Sequence, residues 1–299
     1  GVYGLSFICA VSGACLFLAW RNPRPVALLT YASLLAGLWG GGGLLRTAEW
    51  VAPGAEQPLS VALYQPNIPQ QLKWRREQYP EILRQFDRAL PEQYGHDIVL
   101  WPESALPRFY QQARDYLDPV AQQLQRNDAT LITGIPWRDA GSEDYYNSIV
   151  ALGAGEGVYH KQRLVPFGEY VPLESRLRGL IAFFDLPMSS FSAGPPGQDL
   201  LQANGYRIAP FICYEVVYPD LVARGARTAD LLVTISNDSW FGAAIGPLQH
   251  LQMARMRALE SGRYLLRGTN NGISAIIDHR GQILARTAQF EETVLTGEA

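Results

Sequence analysis

The chain has 299 residues, a formal net charge of −3 and 47% hydrophobic residues. It contains no basic cluster, and this argues against a nucleic-acid partner, which requires a positively charged face. Its three cysteines, two of which lie within the first 20 residues, do not form the pattern of a disulfide framework.

The first 50 residues are predicted to be a membrane segment with two transmembrane helices, at residues 2–20 and 26–45. Neither stretch has a charged side chain, and each is about the 20 residues needed to cross a bilayer. The turn between them carries Arg21 and Arg24, which the positive-inside rule places in the cytoplasm. The rest of the chain is therefore expected on the periplasmic side. A cleaved signal peptide is the alternative, but the first stretch lacks a positively charged start.

Residues 58–290 are predicted to form one α/β domain, because short apolar runs alternate with amphipathic helical stretches. Strands are predicted at 59–65, 97–101, 130–135, 147–152, 158–161, 207–213, 230–236, 264–269 and 274–278. Helices are predicted at 74–90, 108–126 and 248–259, with another beginning near Pro219. Residues 177–191 are apolar without regular period, which fits either a buried loop or an apolar lid over a lipid site.

Cys213 is the one cysteine outside the predicted membrane segment, and it follows the apolar residues Phe211 and Ile212. A thiol at the end of a buried strand, ahead of a helix, lies where the helix dipole can lower its pKa. Cys213 is therefore a candidate nucleophile. Free cysteines are also often inert core residues, so its position alone leaves that interpretation open.

A thiol nucleophile needs a base to take its proton and a cationic or hydrogen-bonding group to stabilise the oxyanion. Glu103 follows a predicted strand and can be the base, and Lys161 can be the cation. The backbone N–H of Tyr214 is an additional candidate donor. Each side chain alone also fits a structural role, Glu103 as a helix cap and Lys161 as a solvated charge.

The sequence argues against other kinds of catalytic or metal site. His160 offers a cysteine–histidine pair, but adjacent strand residues face opposite sides, so His160 and Lys161 should not both point at the thiol. The chain has no Gly-x-Ser-x-Gly motif of serine hydrolases, and its four scattered histidines, without close cysteine or carboxylate partners, argue against zinc. Neither a metal nor a cofactor is predicted.

Four longer motifs resemble one family. They lie at residues 101–107 (WPESALP), 159–172 (YHKQRLVPFGEYVP), 212–215 (ICYE) and 236–242 (SNDSWFG). In sequence and order they resemble the nitrilase superfamily, and more closely its membrane-bound branch, the apolipoprotein N-acyltransferases. The resemblance runs from about residue 59 to residue 283, and the two preceding spans fit the topology of that branch.

The resemblance implies a four-layer αββα sandwich and a Glu–Lys–Cys triad, which is carried here by Glu103, Lys161 and Cys213. It implies that Glu169 lies beside the triad, and that Trp74 matches a functionally important tryptophan on a mobile arm. Further residues fall in motifs of the family's pocket, namely Asn147, Tyr214, Glu215, Trp240 and Phe241.

The reaction implied by the resemblance moves a fatty acyl chain from a phospholipid, via a cysteine thioester, to the N-terminal amine of diacylglyceryl-cysteine in bacterial lipoproteins. The implied partners are a phospholipid acyl donor and a diacylated apolipoprotein acceptor, at the inner membrane. Members of the branch have more spans before this point and a final span after the domain, so the chain is expected to be part of a larger multi-pass protein.

Two other functions fit the residues. A membrane-tethered amidase or nitrilase would use the same triad to hydrolyse a small C–N substrate, since composition does not separate water from an amine as the acceptor. A non-catalytic domain would bind lipoproteins or lipid without chemistry. The adjacent spans and the apolar residues 177–191 favour a lipid substrate, and the presence of all three triad residue types favours catalysis.

Overall fold

The computed structural model describes residues 1–51, 58–139, 141, 144–170 and 191–299. The chain divides into two compact units, Gly1–Glu56 and Gln57–Ala299. Of the predicted apolar stretch 177–191, all but the last residue lies outside the described residues.

The first unit contains helices α1 (Val2–Arg21) and α2 (Pro25–Leu45), whose bounds agree closely with the two predicted spans. Their mean hydropathy reaches 2.0 and 1.4, which makes both long and apolar enough to cross a membrane. Large apolar side chains such as Phe7 and Leu29 are exposed, as suits helices that have lipid as their solvent. Pro25 begins α2 because the fixed φ of proline suits the first helical position.

The second unit is built from strands and helices that alternate through most of its length. The strands are β1 (Ser60–Gln65), β2 (Ile98–Leu100), β3 (Thr130–Arg138), β4 (Tyr145–Gly153), β5 (Val158–His160), β6 (Leu201–Ala203), β7 (Tyr206–Ile212), β8 (Leu231–Ser236), β9 (Leu265–Thr269), β10 (Ala275–Ile277), β11 (Ile283–Arg286) and β12 (Thr293–Glu298). The helices are α3 (Gln70–Lys73), α4 (Tyr79–Gln93), α5 (Tyr110–Gln125), α6 (Pro219–Ala226) and α7 (Gly246–Ser261).

The strands form two six-stranded sheets, with the orders β12-β1-β2-β3-β4-β5 and β11-β10-β9-β8-β7-β6. Three strands at the centre of each sheet are parallel, β1 to β3 in the first sheet and β7 to β9 in the second. Parallel neighbours need crossover connections, and α4, α5, α6 and α7 supply them. The carboxyl ends of the parallel strands in each sheet therefore lie along one edge, which is where open α/β sheets place their ligand sites.

Three hydrophobic clusters separate four layers. One lies between the sheets and joins Leu63 and Ile132 of the first sheet to Val233 of the second. Another packs α4 and α5 on the opposite face of the first sheet, and it includes Tyr64, the strand neighbour of Leu63. The last packs α6 and α7 on the second sheet. The layers follow the order αββα, which confirms the predicted four-layer sandwich.

Two local features differ from the sequence prediction. The helix predicted at 74–90 begins only at Tyr79, next to Pro80, and the residues before it form α3 and a 3-10 turn, Arg76–Gln78. Proline favours the first turn of a helix, and this explains the later start. Strand β12 lies beyond residue 290, the predicted end of the domain, and pairs antiparallel with β1 along its whole length.

Candidate active site

Residues in or just after three strands of the first sheet form a buried ionic network. Glu103 follows β2, Lys161 follows β5, and Asn147 lies in β4. The Lys161 Nζ lies 2.8 Å from the Glu169 Oε1 and 3.7 Å from the Glu103 Oε1. The amide nitrogen of Asn147 donates to the same two carboxylates, at 2.7 Å to Glu103 and 2.9 Å to Glu169. Three of the predicted site residues thus surround one lysine.

The backbone around Glu103 fixes the direction of its side chain. Ala105 N–H donates to the carbonyl of Gly134 in β3, and a Cβ on Gly134 would lie 2.7 Å from the Glu103 Cα. Only glycine lets the loop lie this close to the strand. The second carboxylate oxygen of Glu103 accepts the N–H of Asn237, which follows β8 in the other sheet. Glu103 therefore bridges the two sheets. It does not cap the helix that follows, because α5 has no side-chain cap.

Lys161 is fully buried and stays protonated. Burial alone would lower the pKa of its ammonium group, but the carboxylates of Glu169 and Glu103 outweigh this and raise the pKa above its usual value. Glu169 is itself held by the N–H of Val165, 2.9 Å from its other oxygen. As predicted from strand alternation, His160 faces elsewhere, because its Nδ1 lies 2.7 Å from the Ser148 Oγ.

Cys213 follows the last residue of β7 and leaves the strand in a left-handed conformation, with φ at 52°. This conformation costs a residue with a Cβ about 1–3 kcal/mol, so the surrounding structure has to hold it. Burial raises the pKa of the thiol well above its usual value, Glu103 raises it further, and Lys161 lowers it. The expectation that a helix dipole lowers this pKa is therefore wrong, because burial and nearby carboxylates dominate.

Glu215 connects the lysine and cysteine segments. It is fully buried, and its carboxylate accepts the N–H groups of Gln162, Arg163 and Ile212, together with the hydroxyl of Tyr159. These bonds tie the loop after Lys161 to the turn that carries Cys213. The motif resemblance placed Glu215 among the supporting and pocket residues, and its contacts fit a supporting role that positions these two segments.

The aromatic candidates lie on more open parts of the domain. Tyr214 is 42% exposed, Trp240 62% and Phe241 45%. Trp240 and Phe241 belong to a 3-10 turn, Asp238–Phe241, which follows β8. Trp74 ends α3 and is partly exposed. Among the described residues, Glu103, Lys161, Asn147 and Glu169 form their side-chain hydrogen bonds without these four aromatic side chains.

The residues before Trp74 contact the network from the other side of Glu103. Lys73 is fully buried, and its Nζ donates to the carbonyl of Glu103 at 3.1 Å. Gln70 accepts a 2.7 Å hydrogen bond from the side chain of Asn237. Sequence reasoning missed Lys73, since lysine is normally exposed and only its neighbour Trp74 matched a motif.

A second buried cluster, formed by Asp238, His250 and Arg267, contacts the backbone of Cys213. The sequence did not indicate it. Asp238 Oδ2 accepts from Arg267 Nη2 at 2.7 Å, and Asp238 Oδ1 lies 3.1 Å from His250 Nδ1. His250 Nε2 lies 3.0 Å from the backbone carbonyl of Cys213. The expectation that no histidine has a carboxylate partner is therefore wrong for His250. Twelve residues separate it from Asp238, so only the tertiary fold brings the two together.

Comparison with known proteins places this arrangement in a family. Residues 60–299 match the model of the carbon-nitrogen hydrolase family. Over its whole length the chain is 52% identical to the apolipoprotein N-acyltransferase of Azotobacter vinelandii and 49% identical to that of Pseudomonas aeruginosa. A third relative of the same name, from Vibrio parahaemolyticus, is 39% identical over the whole chain. The chain spans 58–60% of the length of these relatives.

Solved structures with the same fold are more distant in sequence. Saccharomyces cerevisiae Nit3, a member of branch 10 of the nitrilase superfamily, has a TM-score of 0.59 at 20% identity, covering 81% of this chain and 90% of its own. The Caenorhabditis elegans NitFhit protein has a TM-score of 0.62 at 16% identity, covering 82% and 61%. The predicted family resemblance is confirmed, and the chain belongs to the carbon-nitrogen hydrolase family.

Proposed function

We propose that the protein is an N-acyltransferase that moves a fatty acyl chain from a phospholipid, through a thioester on Cys213, to the N-terminal amine of a diacylglyceryl-cysteine lipoprotein. The observation that carries the proposal is the position of Glu103 and Lys161. Both lie close enough to Cys213 for their charges to shift the pKa of its thiol. The names of the relatives support the choice of substrates.

In the first step Glu103 takes the thiol proton and the thiolate attacks the ester carbonyl of the phospholipid. The raised pKa of Cys213 keeps the resting thiol neutral, so a base must act during the attack. The Lys161 ammonium and the N–H of Tyr214 stabilise the oxyanion. Tyr214 is the second residue of the 3-10 helix Cys213–Val217, in the first turn, where N–H groups lack an intrahelical acceptor. The carbonyl re-forms, and the lysophospholipid leaves with the proton held by Glu103.

In the second step the α-amine of the lipoprotein attacks the thioester. Glu103 accepts a proton from the amine, the new amide bond forms, and the Cys213 sulfur leaves as a thiolate that is protonated again. A thioester keeps much of the acyl-transfer potential of the ester and divides one difficult reaction into two easier ones. Glu169 holds Lys161 in place throughout, at 2.8 Å, and leaves Glu103 to exchange protons.

The apolar surface that follows β8 supports a lipid donor. Trp240, Phe241, Ile245 and Leu248 lie close together in the sequence, and each is between 45% and 64% exposed. A run of large exposed apolar residues is unusual on a soluble protein and typically marks a lipid or protein contact. The segment continues from Asn237, whose N–H binds Glu103. An acyl chain on this surface would therefore lie near the proposed base.

The membrane setting completes the proposal. Helices α1 and α2 meet at a short turn with Arg21 and Arg24. We place this turn in the cytoplasm and the catalytic unit on the periplasmic side of a bacterial inner membrane, in a multi-pass protein. In that setting the phospholipid donor and the membrane-anchored acceptor share one surface with the enzyme.

Acyl transfer to a defined acceptor tests the proposal. The full-length protein in detergent is mixed with a phospholipid and a synthetic peptide that begins with diacylglyceryl-cysteine, and the peptide mass is followed. We expect the peptide to gain one acyl chain with wild-type protein and none with Cys213→Ala. Cys15→Ala, which removes a thiol of α1, is the matched control and should transfer normally.

Transfer by Cys213→Ala at the wild-type rate would refute the proposal. A wild-type protein that hydrolyses small amides and leaves the peptide unmodified would identify the tethered amidase instead. Peptide binding with neither reaction would identify the non-catalytic lipoprotein-binding domain.

A further inference from the structure

The buried cluster behind Cys213 contacts the backbone of the nucleophile rather than its thiol. Asp238, His250 and Arg267 are each no more than 6% exposed. They form a chain in which Arg267 binds Asp238, Asp238 lies against the His250 Nδ1, and the His250 Nε2 reaches the Cys213 carbonyl. The cluster joins α7, β9 and the turn after β8 to the turn that carries the nucleophile.

The hydrogen bond to Cys213 fixes where the proton of His250 lies. A carbonyl oxygen only accepts, so the His250 Nε2 carries the proton. Burial and the guanidinium of Arg267 lower the pKa of His250 more than the Asp238 carboxylate raises it. The His250 Nδ1 lies 3.1 Å from the Asp238 Oδ1 and 3.2 Å from the Arg267 Nη2. Asp238 and Arg267 together therefore hold the imidazole ring, with its Nε2 directed at the Cys213 carbonyl.

Stability alone does not explain this cluster. Within the described part of the chain, Nε and Nη1 of Arg267 have no hydrogen-bond partner although they are buried. A buried ion pair with unsatisfied donors commonly contributes little net stability, because desolvation offsets its attraction. A Cβ on Gly272 would overlap the Asp238 carboxylate, so the absence of a side chain at residue 272 leaves room for that carboxylate. These features indicate that the position of Asp238 serves a purpose beyond folding.

The planarity of the peptide bond connects His250 to the reaction. The Cys213 carbonyl and the Tyr214 N–H belong to one peptide group, and in a trans peptide they point in opposite directions within one plane. Fixing the carbonyl on the His250 side therefore fixes the Tyr214 N–H on the other side. We propose that His250, oriented by Asp238 and Arg267, is a positioning residue that aims the Tyr214 N–H at the oxyanion formed on Cys213.

This inference rests on the proposed role of Cys213 as the nucleophile, but it does not depend on the acyl donor. It predicts that His250 matters for reactions that form an oxyanion and matters little for those that do not. Attack of the thiol on p-nitrophenyl acetate forms an oxyanion and releases p-nitrophenol in a burst. Alkylation of the thiol by iodoacetamide is a displacement at carbon and forms none.

Two substitutions at His250 distinguish the roles of its two ring nitrogens. Glutamine places an N–H near the position of Nε2 and can still donate to the Cys213 carbonyl, whereas asparagine is too short and reaches only as far as Nδ1. In the full-length protein we expect His250→Asn to slow the burst about tenfold to a hundredfold, as for a lost oxyanion-hole donor. Its iodoacetamide rate should stay within about twofold of wild type, and His250→Gln should recover most of the burst rate.

Two further variants control for effects on folding. His96→Asn also removes a histidine bonded to a backbone carbonyl, that of Gln93, but lies away from the site and should leave both rates unchanged. Gly272→Ala should displace Asp238 without changing any charge and should slow the burst selectively. The thermal unfolding midpoint of each variant is measured, and the burst and alkylation rates are corrected for the fraction of protein that is folded.

Three outcomes would overturn the inference. They are a wild-type burst rate in His250→Asn, an equal loss of burst and alkylation rates in that variant, and a His250→Gln variant no faster than His250→Asn. A burst that persists in Cys213→Ala would overturn the proposed function itself, and this inference with it.

Discussion

The two sides of the candidate site differ in polarity and exposure. On the first-sheet side, Glu103 and Lys161 are 7% and 0% exposed and are held by hydrogen bonds or an ion pair. On the second-sheet side, Tyr214 and Trp240 are 42% and 62% exposed and present aromatic surface. The difference teaches that fixed charges and exposed apolar surface are kept apart, and this fits the proposed mechanism, in which the buried side moves protons and the open side receives an apolar substrate.

The largest expected effect comes from removing Glu103, the proposed base on the buried side. Glu103→Gln should slow formation of the Cys213 thioester by about 10²–10⁴-fold, because a neutral amide does not accept the thiol proton. Rapid-quench kinetics with a phospholipid measures the rate. Glu92→Gln, an exposed glutamate in α4, should react like wild type. Thioester formation at the wild-type rate in Glu103→Gln would show that another group is the base, and it would contradict the assignment of proton transfer to the buried side.

Removing the buried cation should have the next largest effect. Lys161→Met takes away the proposed oxyanion donor and leaves the carboxylates of Glu169 and Glu103 without their shared ammonium. We expect the acylation rate constant to fall about 10²–10³-fold with little change in KM. The comparison of kcat with KM over a range of phospholipid concentrations checks this. A variant that changes KM alone would show that Lys161 serves binding instead.

Lys73 gives the buried side a dependence of stability on pH. Burial lowers the pKa of Lys73 to about 8, from 10.5 in an unfolded chain, and Glu103 offsets only part of this. Between these values the unfolded chain holds a proton that the folded chain has released, so this group makes the free energy of unfolding rise with pH, by about 3 kcal/mol in total. Below pH 8 the contribution is constant.

Urea unfolding of wild type and Lys73→Met at pH 7.5 and pH 10.5 isolates this contribution. We expect wild type to gain stability relative to Lys73→Met between the two pH values, because methionine has no proton to release. Equal pH dependence in the two proteins would contradict the burial of a lysine at this position.

The smallest expected effect lies on the open side. Trp240→Ala should raise KM for a long-chain phospholipid about threefold to tenfold, since it removes apolar contact area but no charge. Its burst with p-nitrophenyl acetate should be unchanged. Leu284→Ala, which removes a similarly exposed apolar side chain from β11, is the control and should change neither quantity. If Trp240→Ala lost activity equally with the phospholipid and with p-nitrophenyl acetate, the open side would not act specifically in binding the apolar substrate.

Much of the fold and of the candidate site could be predicted from residues close together in the sequence. Apolar runs at strand spacing predicted the central strands of both sheets, and reactive residues at their ends predicted Glu103, Lys161 and Cys213 as candidates. Strand alternation predicted correctly that His160 points away from Lys161. These features depend on local periodicity and on the rule that ligand sites lie at strand ends.

Features that depend on contacts between distant segments were not predictable in this way. The pKa of Cys213 was predicted to fall because the sequence shows the nearby helix but not the carboxylates that the fold brings close. His250 is apart in sequence from both Asp238 and Cys213, so no spacing rule identifies it. Strand β12 was missed because its short stretch is only partly buried and is defined mainly by its pairing with β1.

The mass of the peptide that contains Cys213 tests the central claim most directly. Full-length protein is incubated with a phospholipid of one defined acyl chain, without any acceptor, then digested and analysed. The account predicts that this peptide gains the mass of that acyl group, and that neutral hydroxylamine, which cleaves thioesters, removes it. An unmodified Cys213 in protein that nevertheless transfers the acyl chain to a lipoprotein peptide would contradict the account.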